Sequence, residues 1–353
     1  MPSPAVIDHV VIRADSLDAG AAYLGAELGI DLAPGGAHAA MGTHNLLAGV
    51  GGPYLEVIAV DPHAPRPDRA RWFALDEESP SPALVAWVMR VSEAPDDARL
   101  GTPLSLARGD LAWQITVRDD GRVPFDGAGP LAIAWESAPP RIADSEARLV
   151  SLTAIHPDPA GLTELLDALD LAAPVSVQAG DAPRLLAAFD SPRGPVVIAS
   201  DGEPIDVLAE RQAAMDLFHR TWRYLDREDR APEHDAAMIA CAEASLWHWR
   251  RVGAPTQWAI GEWQCSRVQA VLGDGQRALA HARACLEIAE SDRVDDFVPA
   301  SAHEALARAH AVLGDMDAAR EERNLAYRIA IELDDEDRDV IEHDLGTIPI
   351  PLG

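Results

Sequence analysis

The sequence predicts an α+β fold: repeated strand–helix–strand units that build a curved mixed sheet, followed by an all-α array of helical hairpins. Three observations predict it. A strand motif recurs three times in the first 200 residues at one constant spacing. The β-like patterning stops near Ser200. Beyond it, apolar residues follow the 3.6-residue helical period almost to the end of the chain.

Each of the three repeats opens on an apolar strand, at Ile7–Arg13, Leu84–Arg90 and Leu149–Ile155. Each closes on Gly-Pro and a second apolar strand, at Gly52-Pro53, Gly129-Pro130 and Gly194-Pro195. Opening and closing lie 45 residues apart every time, which apolar runs alone would not reproduce. In the first repeat Ser16 is placed to cap a helix that shows Leu17, Ala21 and Leu24 on one face. In the third, Asp158–Leu169 carries the stripe Leu162, Leu165, Leu166 and Leu169. The unit is therefore a strand, a helix and two or three further strands. Such a unit cannot bury its sheet face alone, so units pair side by side around a cleft. Three is an odd number. The third unit packs on the first two, rests on the helical domain, or pairs across a homodimer. Residues 62–82, with five prolines, and 137–146 form linkers.

The helical half is expected at 206–226, 233–252, 256–272, 275–291, 297–313, 316–333 and 335–345. Ala270-Val271-Leu272-Gly273-Asp274 recurs as Ala311-Val312-Leu313-Gly314-Asp315, an offset of 41. The glycines suit the left-handed position that ends a helix, and Ala278 and Ala319 suit close helix packing. The array resembles tetratricopeptide (TPR) repeats, with a period longer than their usual ~34. Domain limits are read as 1–200 and 203–348.

The net charge of −29 disfavours nucleic acid and anionic membrane surfaces as partners. All 29 basic side chains are arginine, which excludes Schiff-base, pyridoxal and P-loop chemistry. Cys241, Cys265 and Cys285 form no paired motif, and no apolar run approaches the ~20 residues of a membrane span. No signal-peptide pattern is read at the N-terminus, so a reducing cytoplasm is expected.

The first repeat carries a family resemblance over roughly residues 5–200. Ile7-Asp8-His9-Val10-Val11, Gly35-Gly36-Ala37-His38, Met41-Gly42-Thr43-His44-Asn45 and Tyr54-Leu55-Glu56-Val57-Ile58 resemble the motifs of glyoxalase-like domains in the vicinal oxygen chelate (VOC) superfamily. The resemblance implies βαβββ units and a divalent ion (Fe, Mn, Zn, Ni or Co) held by His9 and Glu56, with Glu56 in the catalytic role. The equivalent positions of the second repeat are Ala86 and Ile133, and neither can ligate. His38 or His44 would have to complete the site. Asn45, Tyr54, Trp87 and Trp135 are expected around the substrate, with Trp113 nearby.

Two functional readings follow. One is a metal-dependent lyase, isomerase or dioxygenase acting on a small oxygenated molecule. The other is a metal-free capture, resistance or sensor module whose acidic helical domain recruits a basic protein partner.

Overall fold

The computed structural model describes residues 3–203, 206–290 and 294–350, in two compact units that part between 203 and 206. The first repeat is β1 (Val6–Arg13), α1 (Leu17–Glu27), β2 (Ala33–His38), β3 (Thr43–Gly49) and β4 (Tyr54–Val60). The second is β5 (Ala83–Arg90), β6 (Thr102–Arg108), β7 (Leu111–Val117) and β8 (Leu131–Trp135). The third is β9 (Arg148–His156), α2 (Pro159–Ala168), β10 (Val175–Ala179), β11 (Arg184–Ser191) and β12 (Gly194–Ala199). The repeats thus open on β1, β5 and β9 and close on β4, β8 and β12, where the constant Gly-Pro spacing predicts them. The second repeat has lost the expected helix. Only 11 residues separate Arg90 from Thr102, against 19 between Arg13 and Ala33, too few for a helix and its two loops.

The first two repeats share one eight-stranded sheet in the order β2-β3-β4-β1-β5-β8-β7-β6. β1 runs parallel to β4 and antiparallel to β5, and β5 runs parallel to β8. The two halves therefore meet at the β1–β5 seam, and the mixed sheet curls around a cleft on its inner face. Its outer face packs with α1, α2 and the four-stranded sheet β10-β9-β11-β12 in a single apolar core. Val10, Trp87, Leu152, Leu162 and Phe189 all lie in that core. The third repeat finds its cover inside the same unit, so the odd repeat number is no longer an argument for a homodimer.

Local chemistry explains the helix placement. Ser16 accepts a hydrogen bond from the Ala19 amide at 3.2 Å and so caps α1. Gly20 lets α1 lie against β4, because a Cβ there would stand 2.3 Å from Val57 Cγ1.

Strand β1 contains an extra residue. Ile7 pairs with Met89 and His9 with Val88, which leaves Asp8 bulged. Ile7 and Val10 both enter the outer core, three residues apart. Asp8 and His9 consequently both turn toward the cleft. β5 has its own irregularity at Val85, which the pairing Val11–Ala86 and Ile12–Leu84 skips, and it alternates regularly from Ala86 to Met89. Ala86 and Val88 face the cleft cluster, so Trp87 must face outward. This corrects the expectation that Trp87 lines the cleft. It is fully buried and donates Nε1 to the Ala128 carbonyl at 3.0 Å.

The second unit, as described, is α3 (Val207–Leu225), α4 (Pro232–Val252), α5 (Pro255–Val271), α6 (Gly275–Ala289), α7 (Val298–Leu313), α8 (Met316–Ala330) and α9 (Asp335–Gly346). Gly273 and Gly314 take φ of 81° and 83°, the left-handed turn the repeated Leu-Gly-Asp motif requires. Ala278 and Ala319 are fully buried between helices. A His–Glu contact ties each of three helix pairs: His248 to Glu210, His281 to Glu262 and His303 to Glu322, at 2.5, 2.7 and 2.6 Å. The three cysteines are buried, and burial pushes the Cys241 and Cys285 thiols up to about 12, so they are not nucleophiles. Among the described residues no helix is long and apolar enough to cross a membrane.

Replacing Trp87 by alanine should destabilise the first unit by about 3–5 kcal/mol in urea titration, the cost of emptying a filled core site. A loss below 1 kcal/mol would contradict its core assignment.

Candidate functional site

The register of β1 on β4 sets the centre of the cleft. His9 stands beside Tyr54 and Val11 beside Glu56, so His9, Tyr54 and Glu56 share one face of adjacent strands. His9 Nε2 lies 3.5 Å from Glu56 Oε2, and the two residues are 4% and 5% exposed. Behind the imidazole, Asp8 Oδ1 stands 2.7 Å from Nδ1. Asp8 Oδ2 accepts a hydrogen bond from Trp135 Nε1 at 3.1 Å. Tyr54 stacks on the His9 ring at 4.6 Å between centroids. Asp8, His9 and Glu56 thus form a carboxylate–imidazole–carboxylate row.

Asn45 orients the far end of this row. Its Nδ2 donates to Glu56 Oε1 at 2.5 Å, and its Oδ1 accepts from the Gly36 amide at 2.9 Å. A Cβ on Gly35 would stand 2.1 Å from Asn45 Oδ1, so the Gly-Gly pair on β2 is what admits the Asn45 side chain. His38 Nδ1 lies 3.1 Å from Thr43 Oγ1, and its Nε2 faces Arg108 Nη1 at 3.2 Å. Arg108 Nη1 also donates to Asn45 Oδ1 at 3.4 Å. Arg108 sits on β6 and His38 on β2, the two opposite edges of the sheet. Their contact shows how far the sheet curls.

These groups surround a cavity of about 40 Å³, walled by Trp72, Phe73, Trp113, Ile115 and Ile133. That space holds about three water-sized positions. It suits a two- or three-oxygen head group.

The expected residues are therefore divided. His9, Glu56, Asn45, Tyr54, His38 and Trp135 come together at the cavity. Trp87 does not, as described above. His44 does not either. His38 and Thr43 pair across a β2–β3 hairpin instead of lying on one strand, so His44 falls opposite Ala37 and Ala59 on the other face. Among the described residues no cluster of three or more His, Cys, Asp or Glu side chains is arranged to hold a metal. His9 and Glu56 supply two donors, the second imidazole, His38, faces the Arg108 cation, and the second repeat offers Ile115 and Ile133. This donor set does not fit a metal held by three or four side chains.

Asp8, Arg108 and Trp72 escape the sequence reading. Strict alternation would turn Asp8 outward, although two adjacent polar residues inside an apolar strand are a sign of a bulge. Arg108 becomes visible only when the sheet closes, because nothing in its spacing relates it to His38.

The electrostatics follow from burial and neighbours. Burial works to raise the Asp8 pKa, yet the His9 and Trp135 hydrogen bonds and the Arg90 charge together leave it below the ordinary value. Burial, Asp8 and Glu56 push the Tyr54 phenol well up, so it stays protonated. Burial first, then Arg108, brings His38 down to about 4 despite Glu56. His38 is a neutral imidazole at pH 7.

Residues 7–169 match the family model described as a glyoxalase-like domain. No curated protein matches the chain. Similar solved structures include a hypothetical protein from Staphylococcus aureus, 12% identical, with 57% of this chain and 87% of that chain covered and a TM-score of 0.34. Methylmalonyl-CoA epimerase from Mycobacterium tuberculosis is 22% identical over 38% of this chain and 88% of its own, TM-score 0.27. The Streptomyces coelicolor methylmalonyl-CoA epimerase in complex with 2-nitronate-propionyl-CoA is 20% identical over 39% and 100%, TM-score 0.29.

The His38 shift makes a pH prediction. Its folded value lies below the ordinary 6.5, so the unfolded chain binds more protons between those limits. The stability involved is intact above pH 6.5 and is lost as pH falls through about 4. His38→Gln should remove on the order of 2 kcal/mol of acid sensitivity between pH 7.5 and 4.5 in urea titrations. Equal acid losses in both proteins would contradict this.

Proposed function

We propose that the glyoxalase-like domain is a metal-free acid–base cleft for a small oxygen-bearing molecule. His9 and Glu56 exchange a proton with the bound ligand, and Arg108 faces its negative oxygen. The observation that supports this most is the Asp8–His9–Glu56 row. At 3.5 Å the His9 Nε2 and Glu56 Oε2 atoms are too far apart for a good direct hydrogen bond. A ligand hydroxyl or enol oxygen about 2.8 Å from each would bridge them. Asp8 holds the imidazole from behind, as a third group orients the base in general acid–base sites. Asn45 fixes the Glu56 carboxyl, and the single Arg108 guanidinium stabilises an oxyanion forming on the ligand.

The helical unit fits a TPR-like recruitment module for a basic protein partner. The repeated Leu-Gly-Asp hairpins and the strongly acidic composition support that role.

The test uses pyruvate and oxalate as small oxygenated probes. Calorimetry should show saturable binding of at least one, weakened about tenfold in Arg108→Met, the loss of one charge-assisted contact. Proton NMR in D₂O should show exchange of the pyruvate methyl protons. Glu56→Gln should slow that exchange by about 10²-fold or more. Binding without exchange would identify the metal-free capture module instead. Failure of both probes to bind would contradict the reading.

A further inference from the structure

The first unit contains a second, larger cavity, about 480 Å³, at the end of β1 and β5 and beside β11. That volume lies in the range of sites that enclose a small molecule. Leu84, Val123 and Leu185 give it apolar walls, and three arginines line it: Arg13, Arg122 and Arg184.

The arginines are not equivalent. Arg122 Nε donates to Glu77 Oε1 at 2.8 Å, and Arg184 Nε lies 2.7 Å from Asp201 Oδ2. Arg13 is 7% exposed, and among the described residues no carboxylate lies within ion-pair distance of it. Among the described residues its guanidinium donates to two main-chain carbonyls, Ala74 at 3.4 Å and Glu77 at 3.1 Å. Its Nε is buried without a partner. A buried guanidinium left without a counter-charge is costly, and an anion beside it would remove most of that cost. The surrounding backbone points the same way. Phe73, Ala74 and Asp126 line this cavity in left-handed conformation, with φ of 57°, 52° and 50°. Such strain in non-glycine residues collects at ligand sites.

We infer that this cavity is a second ligand site, taking a small carboxylate with an apolar body whose single negative charge pairs with Arg13. One guanidinium without a carboxylate calls for one negative charge. Glu77 and Asp126 at the wall oppose a dianion such as a phosphate monoester. The site is separate from the His9–Glu56 cleft and does not depend on the reading proposed for it.

The experiment is calorimetry on the full chain with benzoate, with benzyl alcohol and phenyl phosphate as charge controls. Benzoate should bind saturably at one site. Arg13→Met should weaken it at least tenfold, keep a native circular-dichroism spectrum and leave the melting temperature unchanged or raised. Val85→Trp fills the same cavity while keeping Arg13 in the chain and should abolish benzoate binding even if Arg13→Met fails to fold. Arg108→Met, in the other cleft, should retain it. No saturable benzoate binding would overturn the proposal. So would equal affinity in Arg13→Met or Val85→Trp, or loss in Arg108→Met alone. Tighter binding of phenyl phosphate or benzyl alcohol than of benzoate would overturn the ligand class.

Discussion

The single extra residue in β1 is the constraint on which the cleft depends. A regular strand would show His9 to the cleft and Asp8 to the apolar core. A buried carboxylate there would have no partner, at a cost of several kcal/mol. The bulge puts Asp8 and His9 on the same side, and the row Asp8–His9–Glu56 follows from it. The parallel register of β1 on β4 then supplies Glu56, and the antiparallel register of β3 on β4 supplies Asn45 to hold it. The glycine pair on β2 is needed because Asn45 occupies the space a side chain would take.

Curling of the sheet brings the Arg108 cation to the cavity wall. The edge strands β2 and β6 come close enough for His38 to meet Arg108, and that contact takes up the imidazole nitrogen that a metal would need. The protein carries a charge of −29, and arginines are its only permanent basic groups. An arginine at a polar centre therefore marks where a negative oxygen is tolerated. The cleft and the cavity at the ends of β1 and β5 each hold one arginine, Arg108 and Arg13, with no carboxylate within ion-pair distance among the described residues.

Much of this architecture is legible in the sequence. The 45-residue spacing locates the opening and closing strands of every repeat, and helical periodicity places the seven described helices of the second unit within a few residues. His9, Glu56, Asn45 and Tyr54 are legible because their motifs sit on strands with a known alternation. The departures at Asp8, His44 and Arg108 share one physical origin: alternation is local, and a bulge, a hairpin or a curl changes which faces meet. The bulge brings in Asp8, the β2–β3 hairpin sends His44 away from His38, and the curl introduces Arg108. Trp87 follows plain alternation, but its outward face is buried by the third repeat, so an aromatic there reads as a cleft residue until that packing is seen. The missing helix of the second repeat is a matter of length alone.

In the proposed reading two donors and an arginine, with no third ligand, make the cleft a metal-free acid–base site. Elemental mass spectrometry tests it most directly, on wild type and His9→Ala purified without a chelating tag. Both should carry far less than one ion per chain, before and after incubation with Fe, Mn, Zn, Ni or Co and removal of the excess. Near one ion per chain in the wild type, lost in His9→Ala, would contradict a metal-free cleft.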